Sequence, residues 1–107
     1  MERRGDAVHI GLLSVTGRDG KELAQKTLER TMEKLRTHIR GSLRKGDIAS
    51  RCSISQYILM LPQANYENSC MVCERIIKGF YQKHPSVTAD IKYSVHPLEP
   101  AVDEPVL

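Results

Sequence analysis

The sequence predicts one α+β domain built as a four-stranded, mostly antiparallel sheet carrying two helices on one face. Three observations predict it. Short runs of β-branched and aliphatic residues alternate with longer segments whose apolar residues recur every three or four positions. The two helical segments are separated by a pair of short strand-like runs rather than by one. A length of 107 residues at 40% hydrophobic content suffices for a single modest core.

Residues 7–16 hold Val8, Ile10, Leu12, Leu13 and Val15 and end at the turn cluster Gly17-Arg18-Asp19-Gly20, which reads as a largely buried strand. From Lys21 to Arg40, Leu23, Ala24, Leu28, Met32, Leu35 and Ile39 form one apolar stripe among Lys, Arg and Glu, an amphipathic helix. Residues 48–52 and 56–61 are strands joined through Ser53-Ile54-Ser55 as a tight hairpin, and Pro62 stops the second. Asn65-Tyr66-Glu67-Asn68 supplies capping oxygens for a second helix whose stripe is Val72, Cys73, Ile76 and Phe80, broken at His84-Pro85. The last strand, 89–96, alternates Ile91, Tyr93 and Val95 with Lys92, Ser94 and His96. The order strand, helix, strand, strand, helix, strand is ferredoxin-like βαββαβ, with two right-handed crossovers. Residues 1–6 form an N-terminal extension, 7–97 the domain, and 98–107, with Pro100 and Pro105 among acidic residues, a linker-like tail.

Charged residues make up 27% in mixed sign, the composition of a soluble globular protein rather than a disordered tail. No run approaches the roughly 20 apolar residues of a membrane span, and residues 1–6 lack the apolar core of a secretory signal. Three cysteines without a dense framework fit a reducing compartment, so a cytoplasmic location is expected. The formal net charge of +3 permits a nucleotide or nucleic-acid partner without requiring one.

The run Leu43-Arg44-Lys45-Gly46-Asp47-Ile48-Ala49-Ser50-Arg51, the strand Tyr57-Ile58-Leu59-Met60-Leu61-Pro62, the strand end Leu12-Leu13-Ser14-Val15-Thr16 and the helix segment Cys73-Glu74-Arg75-Ile76 together resemble the GGDEF domain of diguanylate cyclases. The likeness covers about residues 7–95. It implies a ferredoxin-like core in which the signature hairpin admits the nucleotide and supplies carboxylate for metal-assisted phosphoryl transfer. Here the five signature positions read Ser53, Ile54, Ser55, Gln56 and Tyr57, and the Asp-x-Asp metal site of the first strand is replaced by Ser14 and Thr16. A β-branched Ile54 resists the positive φ that glycine accepts. Magnesium requires hard, preferably anionic oxygens, which Ser55 and Gln56 do not provide. Loss of one preorganised electrostatic element costs about 10²–10³ in rate, and several are replaced at once. The expectation is a non-enzyme with no cofactor and no metal.

The family's N-terminal segment has no counterpart before Ala7, so the resemblance implies an excised or minimal version. The blocks 43–62 and 93–98 are most similar to degenerate domains attached to bacterial transcriptional regulators that carry a bacterial transcriptional activator domain. This implies a regulatory or protein-interaction module, with a protein partner or self-association, possible dimerisation included among the expectations.

Arg44-x-x-Asp47 lies at the spacing of the family's inhibitory cyclic di-GMP site. Arginine's planar fork can hold phosphate or guanine, and aspartate can accept a guanine N–H. The competing reading, which the shortness of the motif favours, is a helix-to-strand connection in which Arg44 is solvated and Asp47 serves local backbone. Cys70-x-x-Cys73 has no second ligand pair, so with Cys52 it reads as packing rather than a zinc or redox site. His9, His38, His84 and His96 are dispersed and have no spacing that supplies a general base. Lys34, Arg36, Arg40, Arg44, Lys45 and Arg51 concentrate positive charge, interrupted by Glu29 and Glu33. They read as a solvated helix face, with phosphate, an acidic partner or weak DNA contact as alternatives. With one Phe and four Tyr and no base-stacking motif, RNA recognition is disfavoured.

Overall fold

The computed structural model describes residues 8–98; the expected extension 1–6 and residues 99–107 of the tail lie outside the described residues. The chain runs β1 (Val8–Thr16), α1 (Gln25–Ser42), β2 (Ile48–Ser53), β3 (Gln56–Leu61), α2 (Tyr66–Lys83) and β4 (Asp90–Leu98), with a 3-10 turn at Arg18–Gly20. The strands form one sheet in the order β2-β3-β1-β4. All three pairings are antiparallel, and the expected ferredoxin-like α+β fold is present.

Strand alternation decides which face the helices cover. Leu13 and Val15 of β1, Tyr57, Leu59 and Leu61 of β3, and Ile91 and Val95 of β4 are buried with Met32, Leu35 and Ile39 of α1 and Cys73, Ile76 and Phe80 of α2 in one core. Both helices therefore lie on the same face. The other face carries Ile10, Leu12, Ile58 and Met60, half-buried, and Ile48, exposed. The expectation of a largely buried β1 thus holds for one face only, because among the described residues no second layer covers the other.

Other differences have local causes. The first helix starts at Gln25, not Lys21: Asp19 and Gly20 both take positive φ (59° and 76°), and Gly17 N–H donates to Lys21 O over 2.7 Å, turning the chain before it can enter a helix. Leu23 still packs against the core, from outside the helix. The hairpin loop is two residues, Ile54 and Ser55, rather than three. Two-residue loops match sheet twist best with positive φ, and among described non-glycine residues only Asp19 has it. The mismatch is absorbed by a bulge at Cys52, where the register steps from Arg51 opposite Tyr57 to Ser53 opposite Gln56. The second helix is capped as its sequence suggests, Asn65 Oδ1 accepting from Asn68 N–H at 2.7 Å. β4 continues through Pro97, which pairs opposite His9, and Leu98, opposite Val8.

Candidate functional site

The positions where the resemblance would put carboxylates converge, but in neutral form. Ser14 on β1 and Gln56 on β3 are register partners on the uncovered sheet face. Gln56 Nε2 donates to Ser14 Oγ over 3.0 Å, Ser53 Oγ donates to Gln56 Oε1 over 3.2 Å, and Ser55 N–H donates to Ser53 Oγ over 3.2 Å. On the other side of Ser14 stands Lys92, and Thr16 is paired with Asp90 at the strand end. Among the described residues no group of three His, Cys, Asp or Glu side chains is placed to hold a metal ion.

The hairpin tip is held by backbone as well. Val15 N–H donates to Ser55 O at 2.9 Å. Ile54 projects 73% exposed beside a recess of about 430 Å³, whose apolar lining includes Val15, Leu23 and Leu28 and whose charges are Lys21 and Glu22. Tyr57, which follows Gln56, turns into the core and donates its hydroxyl to Met32 O of α1 at 3.0 Å. Burial pushes that phenol's pKa up, so it remains the donor.

Arg44 and Asp47 come together around a turn. Asp47 N–H donates to Arg44 O at 3.0 Å, Gly46 takes φ 98°, and Asp47 Oδ2 accepts from Arg44 N–H at 3.0 Å. Asp47 thus serves local backbone, while both residues also line a groove of about 600 Å³ between α1 and β2. This groove is the feature that sequence reasoning treated as a solvated helix face. Arg36 and Arg40 come from α1, Arg44 and Lys45 from the turn, and Arg51 from β2, against Glu33 and Asp47. Five cations face two carboxylates here, so the groove is locally cationic. The i to i+4 spacing of Arg36 and Arg40 was the available signal; that Arg51 faces them depends on strand pairing. Lys34 departs from the cluster and borders a different depression with His38, Lys83 and His84.

The remaining candidates are separate. Cys73 is fully buried, and burial, reinforced by Cys70 and Glu74, pushes its thiol up to about 11; Cys70 is half-buried and Cys52 exposed. His9 contacts Ala64 O at 3.0 Å through Nδ1, His38 and His84 flank Phe80, and His96 contacts Ser94, so the four do not form one cluster. No described helix is long and apolar enough to cross a membrane. No protein-family model matches the chain, and no curated protein matches it.

Proposed function

We propose that the chain is a non-catalytic, GGDEF-like regulatory and protein-interaction module of a bacterial signalling or transcription-regulatory protein, acting in the cytoplasm. The observation that carries this reading is the neutral pair Gln56 and Ser14, at two positions where the resembled cyclases need carboxylates, with Ser53 bonded to Gln56 beside them. These side chains hydrogen-bond one another and offer a divalent cation no anionic oxygen. Ile54 and its aliphatic recess agree with this, since phosphate is held by backbone N–H groups and cations. Incubation of the purified protein with GTP and magnesium is expected to yield no cyclic di-GMP. Magnesium-dependent accumulation of that product overturns the reading.

A second reading is favoured by the shared lining of Arg44 and Asp47. The guanidinium and the carboxylate oxygen not taken by Arg44 N–H are groups that a cyclic dinucleotide would use. Titration calorimetry with cyclic di-GMP is expected to give saturable heat that Arg44→Ala removes. Absence of heat at dinucleotide concentrations well above micromolar sinks it.

A further inference from the structure

The groove between α1 and β2 is bounded by an unpaired strand edge. Among the described residues β2 pairs with β3 alone, and every residue in it is exposed. In an antiparallel pair alternate residues turn their N–H and C=O groups away from the partner, so the outer side of β2 presents a row of donors and acceptors of the kind that templates another strand. α1 packs over the sheet interior through Met32, Leu35 and Ile39 and leaves this strand uncovered. Ala49 and Arg51, which point to the helix side, therefore floor a groove walled by Arg36 and Arg40. Ile48 and Ser50 point to the opposite face, where Ile48 pairs with Met60 and is 54% exposed.

We propose that this edge binds an extended acidic segment of a partner protein, added as a fifth strand beside β2. Side chains of such a strand alternate between faces. Those on the helix side meet Arg36, Arg40, Lys45 and Arg51 and are acidic; those on the other side lie beside Ile48 and are aliphatic. The segment sought is an alternation of Asp or Glu with Val, Ile or Leu. Arg51 already donates to Ser53 O and Ile54 O, at 3.0 and 2.9 Å, which fixes its guanidinium and leaves it further N–H groups for a carboxylate. Nucleic acid fits less well. No exposed aromatic ring lines the groove, Tyr57 being buried with its hydroxyl committed to Met32, and base stacking is what single-strand binders use. A phosphodiester chain also has no backbone N–H for the carbonyls of β2.

This docking mode deepens the interaction-module reading, and the two fail separately, one by peptide binding and the other by GTP turnover. Fluorescence anisotropy with a labelled peptide of about eight residues alternating Glu and Val, a strand's length, is expected to show saturable, salt-sensitive binding. Arg36→Glu combined with Arg40→Glu is expected to weaken it about tenfold or more, because like charges then face each other. Both sites are exposed, and an unchanged circular dichroism spectrum certifies the variant. N-methylation of alternate peptide nitrogens on the pairing edge is expected to weaken binding with the protein untouched. Binding insensitive to the arginine changes, equal affinity of the N-methylated peptide, or tighter binding of a single-stranded oligonucleotide of equal charge overturns the proposal.

Discussion

At position 11 there is room for hydrogen and little else. A Cβ built on Gly11 would stand 2.7 Å from Cys73 Sγ, closer than such atoms approach, so central strand and second helix touch through a glycine and a thiol. Gly11→Ala is expected to destabilise the protein by about 1–3 kcal/mol, the cost of overpacking. Adding Cys73→Ala should restore part of that loss, a non-additivity that denaturant unfolding of the two single variants and the double variant measures. The same packing governs reactivity. With its pKa pushed up to about 11 by burial, Cys73 is a neutral thiol near pH 7. A thiol reagent should modify exposed Cys52 in the native protein and reach Cys73 only after denaturant is added. Cys73 packs in the core, and its close neighbour there is a glycine on another element, which no local pattern displays.

At the scale of elements, α1 meets α2 where His38 lies against Phe80, with ring centroids 6.1 Å apart, and close to Gly79. Burial, reinforced by Lys83 and His84, lowers the His38 pKa below 6.5. The unfolded chain then takes up a proton first as pH falls, so this contribution to stability is complete above about pH 6.5 and is lost toward the folded-state value. The urea midpoint should fall between about pH 7.5 and 5.5, and His38→Gln should flatten that dependence. Glu33 and Lys34 also border this depression. The hairpin offers a second test. Tyr57→Phe removes the bond from β3 to Met32 O and should cost about 0.5–1.5 kcal/mol by chemical denaturation, the net value of one hydrogen bond.

For the whole molecule, the one-sided sheet is the governing fact. Leu59 and Ile48 both lie in strands on the hairpin, yet Leu59 is fully buried and Ile48 is 54% exposed. Leu59→Ala should cost about 2–5 kcal/mol, whereas Ile48→Lys should stay within about 0.5 kcal/mol, as read by thermal or urea unfolding. The order of elements and most core residues were legible because the 2.0 and 3.6 periodicities are local properties of the chain. Met32, Leu35, Ile39, Ile76 and Phe80 all fell on the expected stripes. The start of α1 was not legible, since Lys21 and Glu22 are good helix formers and only the reversal through Asp19 and Gly20 keeps them out.

The sequence by itself determined that Ser14, Thr16, Ser55 and Gln56 offer no carboxylate, because residue identity alone settles that. It also determined the alternation of two helices with four strands. Tertiary structure decided which of these neutral side chains meet and where positive charge collects. Gln56 reaches Ser14 across 42 residues of sequence through strand pairing, and Arg51 joins Arg36 and Arg40 because β2 is the edge strand beside α1. Both are consequences of register and of how far α1 reaches, which are set by packing the whole core and are carried by no single segment.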